Sequence, residues 1–355
     1  MLVQDKGNNM AENKWLKQLR KHDAYVEHNY DAFDSKNCLY TPSPYMNWIF
    51  ANKSHGIPKG SGVLLYSEPK AGKSLLSQAI AAQLHQDDPE GIVMYFSTEY
   101  KGKFQKGFFT GIDPDRLLFY DTSDPKDIFD YLAYEVQPLV QDGMPLRMVV
   151  IDSITGIGGV KAQGRSVEDH LIGDKALTIT RGLDQIIPFF KKNNITYITV
   201  AQIRMNIGAH YGPDIKAAVP KACEHNHEYF ISVKRAGSAD DKKDLAGNSF
   251  EGETKDARGN KDLTGHKIYV KMEQNSLGTG GRAARITVDY KKGFINQHEE
   301  IFELGVNTGV LSRPNNRVYE FQGNTYDGKN TMADAIKNNP GLGEAILDHV
   351  KMLDS

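Results

Sequence analysis

No run in this chain approaches the roughly 20 apolar residues that a membrane-crossing helix needs, so no membrane association is expected. Residues Met1 to Asn13 lack the apolar stretch of a secretory leader. Cysteine is scarce. Cys38 and Cys223 lie far apart, which excludes a dense disulfide framework and fits a reducing, cytoplasmic compartment. Cys223, His225 and His227 are close together, but a structural zinc site needs a fourth ligand and wider spacing, so they are expected to be solvated loop residues. An excess of one charge is also missing: 43 Lys+Arg face 45 Asp+Glu, a formal net charge of −2. No global field draws the protein to a polyanion, and any nucleic-acid binding must arise from a local surface. What is present is an ordinary globular composition, 39% hydrophobic and 25% charged over 355 residues. That length suits one large domain with smaller attachments.

The most informative segment is Ser67-Glu68-Pro69-Lys70-Ala71-Gly72-Lys73-Ser74. It follows the apolar run Val63–Tyr66 and precedes a helical pattern beginning Leu75-Leu76. A strand, a small-residue turn ending Gly-Lys-Ser and a helix form the layout of a P-loop. The turn's backbone N–H groups and the positive end of the helix dipole cradle phosphates. Lys73 is expected to reach the β and γ phosphates, and the Ser74 hydroxyl to bind Mg²⁺. Ser67 stands where the usual first glycine would be, so its backbone must adopt a conformation that tolerates a Cβ.

Three further apolar runs end in polar residues: Ile92–Phe96 before Ser97-Thr98-Glu99, Met148–Ile151 before Asp152, and Tyr197–Val200 before Ala201-Gln202. Such runs, separated by helical stretches, predict buried parallel strands in an α/β sheet whose carboxyl ends face a ligand crevice. Asp152 is then placed to hold Mg²⁺, Glu99 to orient or deprotonate a water, and Gln202 to sense a γ-phosphate. Each taken singly also reads as a helix cap or turn residue; three in order after one P-loop point to an ATPase.

The chain continues Gln202-Ile203-Arg204-Met205-Asn206-Ile207-Gly208, which resembles the start of the second DNA-binding loop in the RecA recombinase family. Phe96–Glu99, Gly111–Leu118, Val150–Ser153, Glu303–Val306 and the stretch Tyr319–Leu353 resemble other parts of that family, so the likeness covers about residues 45–355. The divergent P-loop and N-terminus are similar to phage recombinases of the UvsX type. The resemblance implies a RecA-like P-loop ATPase core, a mostly parallel sheet flanked by helices, over residues 50–295. An N-terminal helix/strand oligomerisation arm (1–49) and a small α+β C-terminal domain (296–355) are expected to flank it. It implies ATP and Mg²⁺ as cofactors, with Ser67 to Leu75 and Asp152 contacting nucleotide and Glu99 and Gln202 in catalysis. Arg204, Met205, Asn206, Ile207 and Gly208 would contact DNA within a loop of about residues 203–228. Met205 and Ile207 are alternatively core residues on a strand continuing from Val200, but Gly208, Gly212 and Pro213 favour a loop. A first loop of about residues 156–174 would add Lys161 and Arg165, with Arg181 on the helix after it.

Expected partners are single-stranded DNA, homologous duplex DNA, further copies in a helical filament, and single-strand-binding and mediator proteins. The location implied is cytoplasmic, in the host cell if phage-encoded. Departures from the family are also visible. Gln274 and Ser276 stand where bacterial RecA carries two lysines that reach the neighbour's γ-phosphate, leaving Lys271 or Arg282 to substitute or hydrolysis to be slow. Tyr100 and Phe104 are candidates to stack on the adenine. The helical pattern of residues 14–26, with Trp15, Leu16, Leu19 and Val26 on one face, docks either on a neighbouring protomer or on its own core. Residues of about 236–265 are polar and of mixed charge, as in a surface hairpin or flexible insertion. The sequence ends without the acidic tail of the bacterial protein, so weaker self-inhibition is expected. A hexameric helicase and a non-hydrolysing regulatory subunit are alternatives on the same core.

Overall fold

Strands whose successive residues are all apolar bury both faces, and alternate side chains then enter opposite layers. This rule organises the protein. A computed structural model describes residues 14–22, 32–99, 111–158, 173–205, 215–237, 243, 245, 249–255, 261–289, 293–294 and 296–354. In chain order the first elements are α1 (Lys14–Leu19), β1 (Cys38–Leu39), α2 (Pro44–Trp48), β2 (Ile57–Pro58), β3 (Gly62–Ser67), α3 (Lys73–Asp87), β4 (Ile92–Ser97) and β5 (Leu117–Asp121). A π-helical stretch over 126–136 leads into α4 (Gln137–Gln141), β6 (Leu146–Asp152), α5 (Asp174–Lys192), β7 (Thr196–Met205), β8 (Ile215–Ala217), α6 (Lys221–Asn226) and β9 (Tyr229–Arg235). Then follow β10 (Glu251–Lys255), β11 (Lys261–Leu263), β12 (Gly265–Asn275), β13 (Ala283–Asp289), β14 (Gly293–Phe294), α7 (Gln297–Asn307), β15 (Val318–Phe321), β16 (Asn324–Asp327), α8 (Lys329–Asn338) and α9 (Pro340–Met352).

The main sheet has the order β14-β13-β12-β9-β3-β7-β6-β4-β5, with β8 attached to β7. From β9 to β5 the pairings are parallel, and β12, β13 and β14 extend the sheet antiparallel. This is a mostly parallel α/β sheet flanked by helices. Every residue of β3 is buried, as its central position requires. Val63, Leu65, Val93, Tyr95, Met148 and Val150 pack on the layer containing Leu76, Ile80 and Leu84 of α3. Leu64, Tyr66, Met94, Phe96, Val149 and Ile151 pack on the opposite layer, with Ile179, Leu183 and Ile186 of α5. Each fully buried aliphatic side chain contributes about 1.5–3 kcal/mol, so the double-sided pattern is the main source of sheet stability.

Residues 297–352 build a separate apolar cluster around Phe302, Leu311, Tyr319, Met332 and Ile346. It meets the sheet layers through α2 and α7. There the Ser43 hydroxyl caps α2 by accepting from Met46 N, and it donates to Glu300 Oε2 at 2.6 Å. Tyr45 N donates to the same oxygen, whereas Oε1 is buried without a partner among the described residues. The neighbouring Glu299 accepts from Leu245 N at 3.0 Å, tying the polar insertion to α7. Within that insertion β10 and β11 pair antiparallel.

Three expectations change. Helix α1 covers Lys14–Leu19; Trp15 and Leu19 are 62% and 68% exposed, while Val26 lies outside the described residues. Helix α8 was not foreseen, because single apolar residues scattered among polar ones make too sparse a pattern. Cys223 and His227 are not solvated: they are buried at 0% and 2% exposure. His227 Nδ1 donates to Cys223 O at 2.9 Å, so Nε2 accepts from the Thr199 hydroxyl at 2.7 Å. Both ring nitrogens are thus satisfied in a neutral imidazole, which burial holds down at about 4. No metal-holding group of His, Cys, Asp and Glu occurs among the described residues, and none of the described helices is long and apolar enough to cross a membrane.

Burial pushes the Glu300 carboxyl up to about 8, with Glu303 and Glu299 adding to the rise and the Ser43 and Tyr45 hydrogen bonds opposing it. A carboxyl raised on folding stabilises the protein below its unfolded value and loses that contribution as pH rises toward the folded one. Stability should therefore fall as pH climbs from about 4.5 to about 8. Glu300→Gln, which cannot ionise, should flatten that slope and exceed the wild type at pH 8 by roughly 1–3 kcal/mol, as read by urea denaturation across pH. Burial also raises the Cys38 and Cys223 thiols, to about 11 and about 12. Neither should react with a disulfide reagent at pH 8 until the protein is unfolded by urea, because the thiolate is the reactive form.

Candidate nucleotide site

The register of the parallel strands aligns their tips. Ser67 pairs with Gln202, and Asp152 pairs with both Ser97 and Val200. Leu65, Tyr95, Val150 and Ile198 face the α3 side of the sheet. Counting by twos from each of them places Ser67, Glu99, Asp152 and Gln202 on that same side. The structure thus brings together four residues that stand far apart in sequence.

The P-loop turns through Lys70 and Gly72, whose φ angles are 63° and 107°, and Gly72 is the N-cap of α3. Ser67 closes β3 in strand conformation, so no glycine is needed there. Its hydroxyl donates to Glu68 O and accepts from Lys73 Nζ at 2.8 Å. Lys73 also donates to Ser67 O at 3.0 Å and Glu68 O at 2.9 Å. The Lys73 side chain is buried, and burial lowers its pKa against the opposing pull of Asp152 and Glu99. Glu68, Pro69, Lys70 and Ser74 are exposed, Ala71 is buried and Leu75 is half-buried.

Asp152 is raised, chiefly by burial and further by Glu99; hydrogen bonds from Ser74 and Tyr95 and the charge of Lys73 oppose the rise. The Tyr95 hydroxyl donates to Asp152 Oδ2 at 2.6 Å. Glu99 Oε1 accepts from Ser153 Oγ at 3.0 Å and from Gln202 Nε2 at 3.1 Å. The tips of β4 and β6 are clasped below it: Thr98 N donates to Asp152 O, Thr98 Oγ1 donates to Ser153 O, and Ser153 N donates to Thr98 Oγ1. Gly156 sits so close that a Cβ there would lie 2.0 Å from Thr98 Oγ1. The donor set of Ser74, Asp152 and Glu99 is all oxygen, which suits a hard divalent cation such as Mg²⁺, and Lys73 with the P-loop amides suits a polyphosphate. Tyr95, Thr98 and Ser153 were missed in the sequence. The signal for Tyr95 was available: a tyrosine inside an otherwise apolar buried strand must find a partner for its hydroxyl.

Other expected residues lie elsewhere or change character. Arg204 and Met205 are not in a loop. β7 runs on past Gln202 through Met205 and pairs with β8, Ile203 opposite Ala217 and Met205 opposite Ile215. Ala218 N donates to Gln202 O at 2.8 Å, so the ribbon starts at Gln202 itself. Cross-strand hydrogen bonds outweigh the expectation drawn from the glycines, which fall further on. The expected loop of 203–228 therefore contains β8 and α6. Asn206, Ile207, Gly208, Lys161, Arg165, Tyr100 and Phe104 lie outside the described residues. Arg181 is exposed on α5, on the other face of the sheet, in a groove with Lys126, Phe129 and Asp174.

The antiparallel β12 carries Gln274 to the end of the sheet opposite the P-loop. Neither cation considered as a substitute for the missing lysines reaches the P-loop of its own chain. Lys271 pairs with Glu273 at 2.7 Å. Arg282 donates to both oxygens of Asp354 and lies 4.4 Å from the Trp48 ring centroid.

Residues 41–295 match the RecA N-terminal domain family. The chain is 23% identical over 296 residues to Protein RecA of Mesomycoplasma hyopneumoniae (strain J), a match covering 83% of this chain and 80% of that protein. It is 24% identical over 305 residues to Protein RecA of Pseudomonas fluorescens, covering 83% and 77%, and 21% identical over 296 residues to that of Paracoccus denitrificans, covering 83% and 76%. With a family match across most of its length, and with a P-loop and polar strand tips on one face of a mostly parallel sheet, this chain belongs to the RecA family.

Proposed function

We propose that this protein is an ATP-dependent DNA recombinase that coats single-stranded DNA as a helical filament, pairs it with homologous duplex and exchanges strands. The observation that carries the reading is the position of Gln202. It donates to Glu99 at the phosphate side, and it is the first residue of the ribbon that leads into the second loop. A change of phosphate state at Glu99 and Gln202 is therefore transmitted along covalent, hydrogen-bonded backbone to the DNA-facing segment.

In this reading ATP lies between protomers, with its phosphates on the backbone N–H groups of the turn from Lys70 to Ser74. Lys73 leaves the Ser67 and Glu68 oxygens to meet the β and γ phosphates. Ser74 and Asp152 would hold Mg²⁺, which when bound would supply positive charge to neutralise the phosphates. Glu99, held by Ser153 and Gln202, orients the attacking water and accepts its proton. Arg204 neutralises backbone phosphates, Met205 and Ile207 wedge between base steps, and Asn206 and Gly208 supply close backbone contacts. Lys161, Arg165 and Arg181 add cations to the same strand. Base pairing supplies sequence specificity. The exposed face of α1 docks on a neighbouring protomer, and repeated head-to-tail docking generates an open filament. Residues 1–49, 50–295 and 296–355 serve as arm, core and accessory domain. A phage origin of the UvsX type, and partnership with single-strand-binding and mediator proteins, complete the proposal.

A second reading has one specific observation in its favour. Gln274 and Ser276 are neutral, and Arg282 is engaged with Asp354, so a slowly hydrolysing or non-hydrolysing DNA-binding subunit accounts for the missing cations. Single-stranded-DNA-stimulated ATP hydrolysis separates the two. Glu99→Gln should retain ATP binding and lose hydrolysis by about 10²–10⁴-fold; a wild type no faster than this variant establishes the second reading. Gln202→Ala should bind ATP normally yet lose ATP-stimulated binding to single-stranded DNA, measured by fluorescence anisotropy. Persistence of that stimulation removes Gln202 as the switch.

A further inference from the structure

Tyr95 is 1% exposed, and its ring is stacked on Phe119 with centroids 5.5 Å apart and planes at 17°. Its hydroxyl therefore has a fixed position between three elements. From β4 it donates to Asp152 Oδ2 on β6 at 2.6 Å, a charge-assisted hydrogen bond when the carboxyl is ionised. From α3, Gln78 Nε2 donates to it at 3.4 Å, and Ser77 Oγ lies 3.2 Å away while donating to Ser74 O at 2.9 Å. The hydrogens are accounted for: Ser77 gives its own to the backbone of Ser74, Gln78 supplies the phenol oxygen, and the phenol hydrogen goes to Asp152. One hydroxyl thus links the helix that follows the P-loop to the acidic tip of the neighbouring strand.

We propose that Tyr95 is a positioning residue for divalent-cation binding at the P-loop. It holds one oxygen of Asp152 against the apolar layer and so leaves the other to the cation shared with Ser74. The proposal rests on the nucleotide reading above and extends it to the selectivity of the site. A carboxylate held by one oxygen suits Mg²⁺ or Mn²⁺, which take few carboxylate contacts in tight octahedral geometry. It disfavours Ca²⁺, which accepts both oxygens of a carboxylate in looser shells. A tyrosine that merely satisfied its own hydroxyl would affect stability and leave cation affinity and selectivity unchanged.

The test is an electron paramagnetic resonance titration of Mn²⁺ into the protein bound to a non-hydrolysable ATP analogue, repeated with Ca²⁺ as competitor. Tyr95→Phe keeps the stacked ring and removes the hydroxyl. It should raise the Mn²⁺ concentration for half-occupancy by about 10–100-fold, the usual effect of losing a group that orients a metal ligand. It should also narrow the preference for Mn²⁺ over Ca²⁺, while affinity for the analogue in excess chelator stays at the wild-type value. Tyr120→Phe is the control, because that phenol stacks on Phe96 and meets Tyr131 rather than Asp152; it should bind Mn²⁺ like the wild type. Gln78→Met, which leaves the phenol itself in place, should weaken Mn²⁺ binding in the same direction by a smaller factor, and serves if Tyr95→Phe fails to fold. Unchanged Mn²⁺ affinity and selectivity in Tyr95→Phe, or in Gln78→Met where only that variant folds, overturns the positioning role while leaving the nucleotide reading intact. A wild type that binds the analogue without taking up Mn²⁺ overturns both.

Discussion

The parallel register of β3, β7, β6 and β4 is the constraint on which the rest of this structure depends. Side chains alternate strictly along a strand, so a slip of one residue in any of these pairings would send its tip residue to the other face. A slip of β6 would send Asp152 into the α5 layer, so that Tyr95 would lose its acceptor and Lys73 one of its two carboxylates. The register is held by more than backbone pairing. Two apolar layers interlock with opposite sets of side chains, and Thr98 and Ser153 fasten the two acidic tips to each other. A gain on one face cannot be had without the other.

That arrangement also explains the electrostatics. Lys73 and Asp152 are both partly withdrawn from water, and burial disfavours the charge on each. Their opposite signs offset part of that cost; Glu99 favours the charge on Lys73 but adds to the rise of Asp152. The P-loop lysine meanwhile rests on the Ser67 and Glu68 oxygens. An anionic ligand entering here meets charges already stripped of much of their hydration, where electrostatic interactions are stronger than at an exposed surface. The neutral His227 and the buried Glu300 show the same principle without a counter-charge: one is pushed down and the other up by desolvation.

Much of this was legible in the sequence, for a physical reason in each case. Continuous apolar runs ending in Ser67, Glu99, Asp152 and Gln202 announced parallel strands whose polar ends gather on one edge of the sheet, because a strand buried on both faces has no other pattern. The P-loop was legible because few backbone shapes bind phosphate. What escaped depends on pairing across distant segments. The ribbon of β7 with β8 uses cross-strand hydrogen bonds that leave no periodic trace in the sequence, and Gly208, Gly212 and Pro213 drew the expected boundary too early. Cys223 and His227 read as polar loop residues because nothing local reveals that Thr199 would supply the acceptor-side partner of the imidazole. Tyr95 was passed over as one more aromatic in a hydrophobic strand, although its hydroxyl carried the hint.

The continuation of β7 beyond Gln202 has a mechanical consequence. A paired β-ribbon advances about 3.3 Å per residue and resists bending far better than a single strand does. A small rotation at its root is therefore magnified toward the tip, as in a lever with its pivot beside the carboxylate of Glu99. Its paired positions, Ile203 with Ala217 through Met205 with Ile215, move with Gln202 as one unit and not one residue at a time.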